Sequence, residues 1–229
     1  MKHLTTTTIS KIKYALFIVI LFPFAKLILA FFNHTFGPDP VADITYVTGI
    51  WALNLLIASL VISPLRKLTH WNWLMRLRRT IAMFGFFYAS LHVLAYSLFD
   101  HSFDLYDIGK DIARHPYMLA GLISFGLMIP LALTSTTGMI KRMGGRYWQL
   151  LHRLAYPAAA AAVVHYFWLV KRDVTDPSIY AIILLILFCA RLTKSKQHLH
   201  SVERLKNLKE INSAWNTSIN IVMTCLPPL

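Results

Sequence analysis

The apolar runs of this chain are too long and too closely spaced for a water-soluble core. Stretches at roughly 14–32, 45–63, 81–99, 117–134, 148–170 and 178–192 are nearly free of charge, and a helix that crosses a bilayer needs ~20 predominantly apolar residues. With 56% hydrophobic and 14% charged residues, the composition lies outside the ordinary globular range, so lipid is the solvent for most of the chain. The expected fold is an all-α integral membrane protein, a bundle of six transmembrane helices. Residues 14–32 follow Lys2, Lys11 and Lys13 in the manner of a secretion signal, but the run is long enough to span and reads as a retained first helix.

Charge sets the orientation. Arg66, Lys67, Arg76, Arg78 and Arg79 follow the second run, Lys141, Arg142 and Arg146 the fourth, and Arg191, Lys194 and Lys196 the sixth. The intervening connectors carry Asp39 and Asp43, then Asp100, Asp104, Asp107 and Asp111 against Lys110 and Arg114. The short connector after the fifth run balances Lys171 and Arg172 with Asp173 and Asp176. Because cytoplasmic loops retain the excess of Lys and Arg, both termini are expected in the cytoplasm. The expected organisation is a cytoplasmic N-terminus (1–13), a transmembrane domain (14–193) and a cytoplasmic tail (194–229). The formal charge of +13 sits in patches between apolar runs rather than along one soluble face, which argues for anionic membrane lipid and against nucleic acid as the partner. Two cysteines, Cys189 and Cys225, supply neither a disulfide framework nor a Cys-x-x-Cys metal site.

Seven of the ten histidines fall in loops or termini; His92, His152 and His165 fall inside runs. Ionisable residues at membrane depth mark functional interiors, the alternative being an interhelical hydrogen bond. All three lie on the third and fifth runs, which are parallel. At ~1.5 Å per residue, His92 lies ~16 Å from the cytoplasmic end of its run, His152 ~6 Å and His165 ~26 Å. Depth therefore pairs His92 with His165. Two imidazoles on facing helices make a six-coordinate iron site suited to electron transfer, with His152 left for a second site or for tuning a neighbouring donor. Pro157 is expected to bend the fifth helix between its two histidines. Gly85 and Ala89, and the alanines from Ala158 to Ala162, make slim surfaces beside His92 and His165, suited to a macrocycle or to close helix packing. Arg78 and Arg79, with Arg146 or Arg153, form a basic cluster able to hold a flavin phosphate or a haem propionate through forked hydrogen bonds; anchoring to anionic lipid is the other reading.

Several strings, taken in order, resemble one family: Gly37-Pro38-Asp39-Pro40, Ser63-Pro64-Leu65-Arg66, Arg76-Leu77-Arg78-Arg79 with His92 thirteen residues beyond, Leu133-Thr134-Ser135, Trp148-Gln149-Leu150-Leu151-His152 and His165-Tyr166. They are similar to the MsrQ (formerly YedZ) family, haem-binding membrane subunits of MsrPQ methionine-sulfoxide reductase systems within the ferric-reductase-like transmembrane group. The resemblance covers about residues 10–193. It implies b-type haem and FMN in a bacterial inner membrane. It further implies electrons taken from the quinone pool or a cytosolic flavin reductase and passed to the periplasmic molybdenum subunit MsrP, which repairs oxidised periplasmic proteins. The family's haem ligands would fall on His92, His152 and His165, and its paired arginines on Arg78 and Arg79. No side chain is then needed as a catalytic acid, base or nucleophile. The other readings are a stand-alone ferric or quinone reductase, which would commonly carry a fused nucleotide-binding domain with a glycine fingerprint, and a transporter, which would commonly show repeated halves.

Overall fold

The computed structural model describes residues 5–170 and 173–191. Lys171, Arg172, Lys194, Lys196 and the tail expected at 194–229 lie outside the described residues. The chain divides into Met1–Leu187 and Phe188–Leu229; of the second unit only 188–191 are described, and they are helical. Among the described residues all regular structure is helical.

Local sequence sets the helix boundaries. Helix α1 (Thr6–Phe32) starts at Thr5, whose hydroxyl accepts from the Thr8 N–H. Helix α2 (Pro40–Thr69) starts at Asp39, whose carboxylate accepts from the N–H groups of Val41 and Ala42, with Pro40 where a helix needs no donor. It stops at His70, in the left-handed region at φ 57°. Helix α3 (Leu74–Ala95) widens into a π-turn, Tyr96–Asp100, and Asp104 caps the short helix α4 (Leu105–Arg114). Helix α5 (Pro116–Leu133) is followed by α6 (Thr137–Met143), α7 (Gly145–Leu151), a 3-10 turn (His152–Leu154), α8 (Ala155–Leu169) and α9 (175–191).

Among the described residues, four helices are long and apolar enough to cross a bilayer: Thr7–Phe32, Pro40–Thr69, Leu74–Asp100 and Pro116–Leu133. The expected fifth span, 148–170, is not one rod. It breaks at His152–Leu154, just before Pro157, because the proline ring would collide with the carbonyl four residues back, that of Arg153. The bend expected from Pro157 is thus realised as a turn ahead of it, leaving α8 with 15 residues, ~22 Å.

Helices α2, α3, α5 and α8 form a ring of neighbours in which α2 packs on α3, α3 on α5, α5 on α8 and α8 on α2. Helices α3 and α8 therefore face each other diagonally. One apolar cluster joins Leu53, Leu56, Ile57 and Leu60 of α2 with Met128 of α5 and Ala158, Ala159 and Val163 of α8. A second joins α1, α2 and α3 through Ile20, Leu55, Ile81 and the fully buried Tyr88, whose hydroxyl donates to the Ile20 carbonyl at 2.6 Å. Outside this core, large apolar side chains such as Ile18, Phe22, Leu133 and Leu185 stand exposed, as a lipid-facing surface requires.

Of the slim surfaces noted beside His92 and His165, those of Gly85, Ala158 and Ala159 are taken up by packing, while Ala160 is exposed. A Cβ on Gly85 would come within 3.3 Å of the Leu56 backbone nitrogen, so this glycine seats α3 against α2. Ala158 and Ala159 are fully buried in the core, and Ser124 of α5 donates to the Ala158 carbonyl at 2.8 Å. Of the two readings offered for these residues, close helix packing is the one their contacts match.

Candidate functional site

At the end of the bundle where α2 and α5 begin and α3 and α8 finish, two imidazoles meet across the diagonal. The rings of His92 (α3) and His165 (α8) have centroids 6.1 Å apart and planes 81° apart. Each is held by the helix beside it in the same way. His92 Nδ1 lies 2.9 Å from the Thr45 carbonyl oxygen, and His165 Nδ1 lies 2.7 Å from that of Tyr117. A carbonyl only accepts, so Nδ1 of each ring carries the proton and donates. The lone pair of each neutral ring is then on Nε2, the tautomer a metal needs when the ligand's other nitrogen is anchored.

Four residues past each carbonyl, one turn along the same helix, stands a glycine. A Cβ on Gly49 would lie 2.9 Å from His92 Nδ1, and one on Gly121 would lie 2.9 Å from His165 Nδ1. The histidines occupy space that only a missing side chain provides. The residues taken singly do not reveal this carbonyl-and-glycine device. Its signal is the repeated spacing Thr45 to Gly49 and Tyr117 to Gly121, which acquires meaning only once the partner helices are known. The hydroxyl of Thr45, the residue whose carbonyl holds His92, is buried without a hydrogen-bond partner, a polar group of the kind that calls for an explanation.

His152 lies elsewhere. It sits on the 3-10 turn at the opposite end of α5, beside Thr134, whereas His165 sits beside Tyr117. The two contacts are separated by ~25 Å along α5. The Thr134 hydroxyl donates to the Pro130 carbonyl at 2.6 Å and so accepts from His152 Nε2, 3.2 Å away. In this arrangement His152 leaves Nδ1, not Nε2, with the lone pair. The Trp148 ring lies against it, with centroids 4.0 Å apart and planes tilted by 31°, and the indole N–H donates to the Thr134 carbonyl at 3.0 Å.

The expected arginine cluster divides. Arg78 is half-buried and its charge acts on His152, whereas Arg79, Arg146 and Arg153 are exposed. Consecutive residues on a helix point ~100° apart, which is why adjacent arginines separate.

Between the ends of α3 and α5 the connecting segment is tied together by Asp111. Its carboxylate accepts from the Tyr96 hydroxyl at 2.8 Å, from His101 Nε2 at 3.2 Å and from His115 Nδ1 at 2.8 Å. The Tyr96 bond first, then those from His115 and His101, hold the Asp111 carboxyl below its ordinary value against the opposing effect of burial.

Residues 48–163 match the family described as ferric reductase like transmembrane component. Over longer stretches the chain is similar to proteins named protein-methionine-sulfoxide reductase heme-binding subunit MsrQ. The one from Herminiimonas arsenicoxydans is 44% identical over 192 residues, 83% of this chain and 88% of the relative. The one from Azospira oryzae is 41% identical over 214 residues, 93% and 86% of the two chains. The chain belongs to the MsrQ family. The relative from Rhodospirillum rubrum, 41% identical over 178 residues, carries the same name. Within this MsrQ-family chain, the ferric-reductase-like region 48–163 contains His92, Gly49 and Gly121 and ends two residues before His165.

Among the described residues no three His, Cys, Asp or Glu side chains gather as a metal site. A haem asks less of the protein, because the macrocycle supplies four ligands and the chain only the axial pair.

Proposed function

We propose that this chain is the haem-holding electron-transfer subunit of a methionine-sulfoxide reductase system, with His92 and His165 as axial ligands of one b-type haem. The observation that carries this reading is the pair of Nδ1-anchored imidazoles facing each other at 6.1 Å. Two metal–imidazole bonds of about 2 Å, plus about 1 Å from each nitrogen to its ring centre, would set two axial rings about 6 Å apart. The residues fit the group, and Thr45, which holds His92 through its carbonyl, also leaves a buried hydroxyl without a partner. When bound, haem iron supplies a one-electron couple. The chain's own residues fix ring orientation and tautomer through two carbonyls and keep the pair inside the helix ring; iron held by both imidazoles would have no open position for oxygen.

The remaining assignments extend this reading. The chain spans a bacterial inner membrane six times with both termini cytoplasmic. This places the His92–His165 end on the periplasmic side, facing the acceptor MsrP, and the His152 end on the cytoplasmic side, toward the quinone pool or a flavin reductase. Alternating loop charge supports that orientation. A cysteine introduced at Asp107 is expected to react with a membrane-impermeant maleimide added from the periplasmic side of the intact inner membrane. Reaction only from the cytoplasmic face would invert the map.

FMN is assigned to the basic end, where half-buried Arg78, the His152 ring and Trp148 gather a cation, a polar nitrogen and a flat aromatic surface. Purified protein is expected to show redox-sensitive Soret and alpha bands together with extractable FMN. Substituting Arg78 with Ala should weaken flavin affinity roughly 10–150-fold while haem is retained, since a charge-assisted bond to phosphate contributes roughly 1.5–3 kcal/mol. Substituting exposed Arg79 should change flavin little. Equal flavin loss in both variants would favour general electrostatic attraction over a placed ligand.

A further inference from the structure

Helix α3, which carries His92, and helix α5, which carries the Tyr117 carbonyl that holds His165, are joined by the segment 96–115, and Asp111 ties both ends of that segment together. On one side is Tyr96, one turn past His92, whose own N–H bonds to the His92 carbonyl. Its hydroxyl donates to Asp111 Oδ2, and so does His101 from the far side of the π-turn. On the other side is His115, which donates to Asp111 Oδ1. His115 lies two residues before Tyr117, whose carbonyl holds His165, and its ring approaches the Tyr117 ring with centroids 5.5 Å apart. The Tyr117 ring stands 6.0 Å from that of His165.

One carboxylate therefore touches the turn that follows the first histidine and the turn that anchors the second. A π-turn directly after a ligand helix is a further sign that this backbone is shaped for a site rather than for helix continuity. A carboxylate has room for about four donors, and three protein donors already occupy it, two of them at 2.8 Å. Whether neutral or protonated, each imidazole still donates one N–H, so the clasp does not depend on their charge. Asp111 itself is the fixed negative charge of the cluster, with its side chain 23% exposed. A negative charge near a redox centre favours the more positive, oxidised form, and partial burial weakens screening by salt.

We propose that Asp111 is a positioning residue of the two-histidine site: it fixes the spacing and orientation of His92 and His165 by clasping Tyr96 and His115, and its charge lowers the midpoint potential of the group held between them. This rests on the haem reading above.

The test is a potentiometric titration of purified full-length protein, followed by optical and electron paramagnetic resonance spectra. In Asp111→Asn, which keeps the shape and removes the charge, haem is expected to remain low-spin while the midpoint rises. In Asp111→Glu the potential should stay close to the original. Tyr96→Phe removes one arm of the clasp but no charge, so its expected signature is an altered low-spin g-anisotropy with a smaller change in midpoint. An unchanged midpoint in haem-loaded Asp111→Asn would overturn the electrostatic role. An unchanged resonance spectrum in Tyr96→Phe would overturn the positioning role, and that variant decides the matter if Asp111→Asn does not fold. Original protein that binds no haem would overturn the haem reading and this inference together, whereas the other two outcomes remove this inference alone.

Discussion

Haem retention is expected to collapse when His165 or His92 is replaced with Ala, and to survive replacement of His152. Each of the first two rings faces the other at 6.1 Å, with Nδ1 already committed to a carbonyl and Nε2 left for the metal. Loss of a ligand's hydrogen-bond partner alone typically lowers metal affinity roughly 10–100-fold, so loss of a ligand should exceed that. Any haem that persists in His165→Ala or His92→Ala would have an open coordination position and a high-spin spectrum. The original protein, with ring planes 81° apart, is expected to give a strongly anisotropic low-spin resonance. His152 bonds Thr134 at the other end of α5, ~25 Å away along the helix, and cannot substitute for either partner without rebuilding the bundle. Haem content per chain and the resonance spectrum of the three single variants, each checked for folding, measure this directly. Native low-spin haem in His92→Ala would defeat the axial assignment.

Depth, reinforced by the small residues near both rings, pairs His92 with His165 in the sequence, because rise per residue is a property of every helix and parallel helices share one depth scale. Depth can be compared without knowing which helices touch. What it could not supply was the lateral arrangement. Gly85 and the alanines before His165 suit either a flat ligand or close helix packing, and Gly85, Ala158 and Ala159 meet neighbouring helices while Ala160 is exposed. The glycines that do make room, Gly49 and Gly121, lie on different helices from the histidines they accommodate, and one sequence does not say which helix faces which. The break before Pro157 was legible as a bend but not as a turn, since a proline announces where hydrogen bonding fails and not how the chain repairs it. Arg78 and Arg79 read as a pair because they are adjacent; a helix sends adjacent side chains in different directions, and only Arg78 acts on His152. Asp111 was read as one acid in a connector of several. Its role emerges only when Tyr96, His101 and His115 converge on it.

Alanine at Gly49 or Gly121 is expected to separate helix stability from cofactor binding. Within a helix, Gly to Ala is favourable by about 1 kcal/mol from backbone propensity alone, so neither change should prevent the chain from folding. The new methyl at position 49, however, would lie 2.9 Å from His92 Nδ1 and 3.0 Å from Cε1; at position 121 it would lie 2.9 Å from His165 Nδ1 and 3.1 Å from Cε1. These are ring atoms of an anchored side chain rather than the free end of a flexible one. To make room, each imidazole must swing off its carbonyl, giving up the bond to Thr45 or Tyr117 that fixes its tautomer. Crowding of this kind typically costs 1–3 kcal/mol, roughly cancelling the propensity gain in overall stability while falling entirely on ligand geometry. The expected result is a protein of near-original thermal stability whose haem affinity is lower by roughly 10–100-fold, the range seen when a ligand's supporting contact is lost. Gly126, also on α5, supplies the control, because a Cβ there meets nothing within 4 Å. Gly126→Ala should hold a full complement of haem with a slight rise in stability. Full haem occupancy with an unaltered low-spin spectrum in both Gly49→Ala and Gly121→Ala would show that the rings tolerate displacement, and the glycines would then be packing residues with no part in holding the site.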